Sequence, residues 1–226
     1  MYERYIKRCL DLLLALLALV ILSPLLLAVT LVSAVKLKGN PFFLQVRPGK
    51  DERLFKMIKF RSMTNERDEN GELLPDEQRL TPYGHALRAT SVDELPELVN
   101  ILLGQMSFVG PRPQLVRDMV FMTQKERRRH TVRPGLTGLA QVSGRNALRW
   151  ENKLALDLEY VSDISFRMDV KLLLRTAKII LFGGETSDET EVTADYGDYL
   201  LQQGKITAAE YRQKREQAKE LLEVKV

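Results

Sequence analysis

Asp93 and Glu94 are adjacent carboxylates inside Arg88-Ala-Thr-Ser-Val-Asp-Glu-Leu-Pro96. The residues after them repeat with a helical period, so the pair stands where a helix begins. Asp93 as N-cap with Pro96 in the first turn is the comfortable register. Ser91 and Glu94 have capping-box spacing, but that start sets Pro96 too deep for its missing N–H. In either register the helix dipole favours ionised carboxylates. An isolated Asp-Glu pair in such a place usually does no more than cap a helix. The company of Arg88 and Arg112 raises the case for chemistry. Glycoside hydrolysis needs two carboxyls about 5–9 Å apart across a bond, which neighbouring residues serve poorly. One phosphate suits them better, with one carboxylate as nucleophile and both available to a metal. A carboxylate attacking phosphorus gives an acyl-phosphate type of intermediate.

Two further stretches fit phosphate. In Phe108-Val-Gly110-Pro111-Arg112-Pro113, prolines on both sides fix the backbone around one arginine. A pre-set arginine loses less entropy in a bidentate clamp. Arg133-Pro-Gly-Leu-Thr-Gly-Leu-Ala-Gln-Val-Ser-Gly-Arg145-Asn146 carries three glycines and two arginines in 14 residues. Such loops wrap phosphate and read a base or sugar. Its spacing matches neither a dinucleotide fingerprint nor a P-loop. No His or Cys cluster offers a metal site. His85 and His130 read as bystanders, and no nucleophilic serine motif occurs.

These residues need a scaffold, and its first element is a membrane segment. Cys9–Val35 is almost wholly apolar, broken by Ser23-Pro24, with Arg4, Lys7 and Arg8 before it and Lys36 and Lys38 after it. About 20 apolar residues cross a bilayer core. Basic flanks prefer the cytoplasm, and here both flanks are basic. Pro24 kinks or breaks a helix, leaving two halves of roughly 18 Å each. The expectation is a re-entrant helical hairpin with both ends cytoplasmic and the Ser23 hydroxyl satisfying a freed carbonyl. A signal peptide has a shorter core and a better cleavage site than Leu31-Val-Ser-Ala34. A straight spanning helix with a proline kink is the serious rival. Cys9 is the single cysteine, so no internal disulfide forms. The net charge of +4 argues for no nucleic-acid partner, and a modest basic excess beside a membrane helix suits anionic lipids.

Beyond it, Phe42–Val46 and Leu54–Phe60 read as a β-hairpin about a Pro-Gly turn. Residues 64–80 read as a loop. Helices are expected over Pro82–Leu87, Leu95–Leu103 with Gly104 as stop, Val116–Arg129, Trp150–Val161 and Asp169–Phe182. The last mixes apolar and basic faces and suits a membrane interface or an ordinary core equally. Tyr199–Gln203 and Ala208–Leu222 form a helical tail around Gly204, with Thr207 and Glu210 at capping-box spacing. The fold class is α+β and mainly helical: a membrane helix over 1–38, a compact cytoplasmic catalytic domain over 39–183 and a helical extension over 184–226.

From Lys7 to Phe182 the chain resembles the monotopic bacterial phosphoglycosyl transferases, the bacterial sugar transferase group. The resemblance rests on Lys7-Arg8 with Asp11, Ser23-Pro24, Gln45-x-Arg47-x-Gly49, Lys59-Phe-Arg-Ser-Met63, Ser91-x-Asp-Glu-Leu-Pro96, Gly110-Pro-Arg-Pro113 and the stretch from Arg133 to Asn146. It implies transfer of a sugar-1-phosphate from a UDP-sugar to undecaprenyl phosphate on the cytoplasmic face of the bacterial inner membrane. UMP leaves, and the route has two steps with Mg²⁺. It implies Asp93 as nucleophile, Glu94 as its partner, both near the metal, and Arg112 facing phosphate. Lys59, Arg88, Arg145, Asn146 and Asp157 would bind substrate. Membrane lipids and later glycosyltransferases are the implied partners. The alternative is a non-enzymatic membrane scaffold that binds anionic lipids and proteins, for which Asp93 has no special importance.

Overall fold

The computed structural model describes residues 1–144, 148–182 and 194–224. The apolar run forms one helix, α1 (Lys7–Lys36, 30 residues). At ~1.5 Å per residue this is about 45 Å, longer than a bilayer core. Helical structure continues through Ser23-Pro24, so the two expected half-length helices are one element with the proline inside it. The Ser23 hydroxyl donates to the Val20 carbonyl at 2.8 Å, and Thr30 to Leu26 at 2.7 Å. Such back-bonds leave no bare hydroxyl in an apolar stretch. Leu13, Leu17, Ile21, Leu27 and Leu31 are exposed along α1.

The chain divides into two compact units. One holds Met1–Asp11, Val46–Lys56 and Gly104–Val226; the other holds Leu12–Gln45 and Met57–Leu103. Strands β1 (Phe42–Pro48) and β2 (Leu54–Phe60) form a two-stranded sheet, as their composition predicts. The link between them is tight: Gly49 N–H donates to the Arg53 carbonyl at 2.9 Å. Asp51 and Glu52 take positive φ values of 54° and 58° to close it.

In the unit that carries residues 57–103, the expected loop is mostly irregular, with a short helix α2 (Asp76–Arg79). Helix α3 (Pro82–Ala89) starts at Thr81, whose hydroxyl accepts from Gly84 N–H at 3.0 Å, with Pro82 at its first position. A Cβ on Gly84 would lie 1.7 Å from the Ser62 carbonyl oxygen, so glycine lets α3 press on the chain leaving β2. Helix α4 (Glu97–Leu102) follows, and Gly104 at φ 81° ends that stretch.

In the other unit, β3 (Ser107–Val109) and β4 (Gly135–Thr137) pair in parallel, Ser107 with Gly135 and Val109 with Thr137. The helix expected over Val116–Arg129 is instead α5 (Val116–Met119), α6 (Gln124–Arg127) and a 3₁₀ turn at Arg128–Thr131. A capping box interrupts it. Thr123 N–H donates to Glu126 Oε2 at 2.7 Å, and Glu126 N–H to Thr123 Oγ1 at 3.3 Å. Helices α7 (Leu139–Val142), α8 (Trp150–Ser162) and α9 (Phe166–Phe182) come next. Val109, Leu139, Tyr160 and Leu172 form one buried cluster. A second joins Phe121, Trp150 and Leu154 to Tyr196, Leu200 and Ala218 of the tail helices α10 (Tyr196–Gln202) and α11 (Ala208–Val224). The tail is thus packed into a core.

Candidate active site

Asp93 and Glu94 lie in a 3₁₀ turn, Val92–Glu94, that leads into α4. Asp93 is therefore not the N-cap of the helix. Pro96 occupies that place, because it sets φ for a helix start while giving up only an N–H that would be orphaned there. Ser91 enters the turn at φ +56°, an unusual conformation for serine, and its side chain makes no cap. Asp93 is buried to 9% exposure.

Strand β2 delivers Lys59 to this turn. Asn100 on α4 is fully buried and accepts the Ile58 N–H through its side-chain oxygen at 3.0 Å. The next residue, Lys59, then places its ammonium 2.6 Å from Glu94 Oε1 and 3.2 Å from Glu97 Oε1. Glu97 is 2% exposed and was not anticipated. Its place one helical turn after Asp93 and Glu94 is the signal that would have found it. Arg88 Nε donates to the Ser62 hydroxyl at 2.9 Å, so the Lys59-Phe-Arg-Ser-Met63 motif also seats Arg88. This unit brings Lys59, Arg88, Asp93 and Glu94 into one small set of neighbouring elements.

Arg112 stands on a loop of the other unit whose backbone is tightly held. Gly110 N–H donates to the Thr137 carbonyl at 2.9 Å, and Gly135 N–H to the Pro111 carbonyl at 3.0 Å. Arg47 donates to the Pro113 carbonyl at 3.2 Å, and Arg129 to the Arg112 carbonyl at 2.5 Å. A Cβ on Gly135 would stand 2.1 Å from Gly110 N, so the two glycine-containing motifs meet backbone to backbone.

Asp157 is almost fully buried, 2.8 Å from the Arg129 guanidinium. Burial pushes its carboxyl above the usual range, and the Arg129 charge opposes that. Asp157 thus sits behind the Arg112 loop, tied to it through Arg129. His130 is pushed down to about 3 by burial and then by the charges of Arg129 and Arg127. It is a neutral, structural histidine at pH 7. Lys153 adds a cation that the motifs did not flag. Burial first, then the Arg112 charge, lower its ammonium below the usual range. Arg145 and Asn146 lie outside the described residues. Among the described residues no group of three His, Cys, Asp or Glu side chains is arranged to hold a metal alone.

The sequence profile of the family described as bacterial sugar transferase matches residues 2–183. The uncharacterized sugar transferase EpsL of Bacillus subtilis (strain 168) is 45% identical over 190 residues, covering 84% of this chain and 94% of that protein. The UDP-glucose:undecaprenyl-phosphate glucose-1-phosphate transferase of Klebsiella pneumoniae is 38% identical over 75% of this chain and 39% of that protein. The UDP-N-acetylgalactosamine-undecaprenyl-phosphate N-acetylgalactosaminephosphotransferase of Aeromonas hydrophila is 36% identical over 79% of this chain and 44% of that protein. The chain spans nearly all of the first relative and less than half of the other two. The motif set, the two held loops and these similarities agree: the chain belongs to the bacterial sugar transferase family and is a transferase.

Proposed function

We propose that this enzyme moves a sugar-1-phosphate from a UDP-sugar to undecaprenyl phosphate and releases UMP. The observation that carries the reading is the Asp93-Glu94 turn, with Lys59 fixed against Glu94, in a chain of this family. Two relatives are named for undecaprenyl-phosphate sugar-phosphate transfer. The scaffold reading leaves that largely buried turn, with Lys59 held against its carboxylates, without a purpose.

In the first step an Asp93 oxygen attacks the β-phosphorus of the UDP-sugar. The bond from that phosphorus to the bridging oxygen breaks, and UMP departs with the electron pair. In the second, an oxygen of the lipid phosphate attacks the same phosphorus, and the Asp93 carboxylate is freed. Arg112, preset by its held loop, and Arg88 offer guanidinium forks to the phosphates. Lys59 orients Glu94. Mg²⁺ fits the donor set, since this ion takes one or two carboxylates and fills its shell with substrate phosphates and water. Asp93 and Glu94 would hold it, and bound there it would offset the diphosphate charge. Arg145, Asn146 and, through Arg129 and the Arg112 loop, Asp157 complete the substrate side of the proposal.

We place the enzyme on the cytoplasmic face of the bacterial inner membrane, with α1 re-entrant. Lys7 pairs with Asp169 at 2.6 Å, and Asp11 accepts the Phe108 N–H at 3.1 Å, so the start of α1 is bonded to residues far beyond its end. Among the described residues only α1 is long and apolar enough to cross a bilayer. With no second such helix among the described residues, these bonds to Phe108 and Asp169 favour both ends of α1 on one side, and the proposal has the helix bend at Pro24 in the membrane. On α9, Phe166, Leu174, Ile180, Leu181 and Phe182 are exposed, which suits an interfacial helix. The catalytic region is residues 39–183 and the appended tail 184–226, and partners would include later glycosyltransferases.

By the resemblance of its motifs, an N,N′-diacetylbacillosamine donor is one candidate, whereas relatives are named for glucose and N-acetylgalactosamine. The test is UMP release from a panel of UDP-sugars with undecaprenyl phosphate. Release with one sugar and not others supports the reading, and no release across the panel with folded protein overturns it.

A further inference from the structure

The unit containing β3 and β4 has a cavity of about 320 Å³ in which none of Lys59, Arg88, Asp93, Glu94 or Arg112 takes part. Its polar lining includes Glu3, Lys7, Asp11, Lys50, Ser107 and Arg133. Lys7 is already neutralised, its ammonium 2.6 Å from Asp169. Asp169 lies in turn 2.6 Å from the Tyr2 hydroxyl and 2.7 Å from that of Tyr160. Two cations therefore remain to act on a ligand. Lys50 makes no ion pair among the described residues. Arg133 is steadied by a 2.8 Å bond from Nε to the Gly104 carbonyl, which leaves the terminal nitrogens of its fork. On the acidic side stand Glu3 and Asp11.

Ser107 gives an independent sign of a ligand. It is 0% exposed, it lines the cavity, and its hydroxyl has no hydrogen-bond partner. A buried hydroxyl left bare costs about 1–3 kcal/mol. A ligand oxygen or a water reaching it removes that cost.

The position of the cavity along α1 selects the ligand. Lys7 and Asp11 belong to its first two turns, and directly after them Leu13, Leu14, Leu16 and Leu17 are exposed. Two of the cavity's lining residues thus directly precede, along the chain, the apolar stretch of α1, and on the proposed membrane placement they belong at the level of phospholipid head groups. A purely anionic ligand would be repelled by Glu3 and Asp11. A zwitterion satisfies both sets.

We infer that this cavity binds the phosphoethanolamine head group of a membrane phospholipid. The phosphodiester meets Lys50, Arg133 and the Ser107 hydroxyl, and the ammonium meets Glu3 and Asp11. This rests on the membrane placement of α1 and deepens it with a lipid class.

The test uses the full chain, delipidated in detergent, with phosphatidylethanolamine or phosphatidylcholine added and retained lipid read by native mass spectrometry. Choline cannot donate hydrogen bonds, so ethanolamine lipid should be retained preferentially. Lys50→Glu and the milder Lys50→Gln should each cut its retention, the former about tenfold, the worth of one charge-assisted bond. Lys125→Glu, an exposed lysine elsewhere, should leave retention unchanged. Equal retention of both lipids, or no effect in both Lys50 variants, overturns the proposal. So does full displacement by soluble glycerophosphoethanolamine at equal concentration, which would mark a site for a free phosphodiester. Flotation with liposomes is scored separately. A protein that floats but does not discriminate keeps its membrane placement and loses this site.

Discussion

The Lys59 ammonium lies 2.6 Å from Glu94 and 3.2 Å from Glu97, so one cation holds two carboxylates on either side of Leu95-Pro96. All three side chains are largely buried, with 15%, 18% and 3% of their surface exposed. Without Lys59, three carboxylates would crowd residues 93–97. Removing one partner of a buried pair costs roughly 3–5 kcal/mol, because the other charge is left uncompensated. Lys59→Met should lower Tm by many degrees and abolish UMP release. Glu97→Gln keeps the shape and one carboxylate for Lys59, so it should fold and lose less activity. A Lys59→Met protein with unchanged Tm would show that the cluster is not held by this charge.

The Arg112 loop separates geometry from charge. Its backbone is pinned by bonds from Gly110, Gly135, Arg47 and Arg129, none of which uses the Arg112 side chain. Arg112→Lys should therefore leave Tm within about 1 °C and reduce kcat/KM about 100-fold, since a point charge cannot replace a planar fork. Asp157→Asn should do the opposite first. It strands the buried Arg129 guanidinium and should lower Tm before any kinetic loss is assigned. Full activity in Arg112→Lys would remove the fork from the mechanism.

The elements were legible where one signal dominated. The apolar run, the hairpin strands, α8, α9 and the tail helices follow from composition and period. What escaped was short or cooperative. Strands β3 and β4 are three residues each, too short to show an alternation, and they exist because Gly110 and Gly135 let two backbones meet. The break between α5 and α6 was written in Thr123 and Glu126, but an apolar run masked it. At the site, Asp93, Glu94, Arg88 and Lys59 stood in recognisable motifs. Glu97, Arg129 and Lys153 act through neighbours in space, which spacing along the chain does not display.

His130 gives a pH signature. Its folded pKa is about 3 against an ordinary 6.5. Below 6.5 the unfolded chain binds a proton that the folded one refuses, so stability is complete above 6.5 and declines as pH falls toward 3. The full effect is on the order of a few kcal/mol. Thermal unfolding at about pH 7.5 and about pH 5 should show a drop in Tm for the native chain and a smaller one for His130→Asn. Identical pH dependence in both would mean that another group sets acid sensitivity.

For α1, single cysteines at Glu3 and Asn40 in a Cys9→Ser background should label from the same, cytoplasmic side. The bonds of Lys7 to Asp169 and Asp11 to Phe108 require the start of the helix to lie with residues that follow it. Pro24→Ala restores a backbone donor and removes the proline on which the proposed re-entrant bend depends, so it should shift part of the population toward opposite-side labelling. Opposite-side labelling in the native helix would establish a spanning segment.

The covalent route makes the sharpest demand. If Asp93 attacks the β-phosphorus, UMP must leave before the lipid acceptor arrives, and the protein must carry one sugar phosphate per site. Intact-protein mass after mixing with UDP-sugar and Mg²⁺, without acceptor, should rise by that mass. Asp93→Asn preserves size and hydrogen bonding but lacks the nucleophilic oxygen, so no adduct should form. Glu94→Gln should still form adduct, though slowly, because Lys59 loses its nearer anion while Asp93 stays intact. Chelating the metal should suppress adduct in every variant if the diphosphate needs its charge offset. A chain that never gains mass, and whose kinetics require both substrates bound at once, would assign the attack to the lipid phosphate itself and leave Asp93 as a ligand.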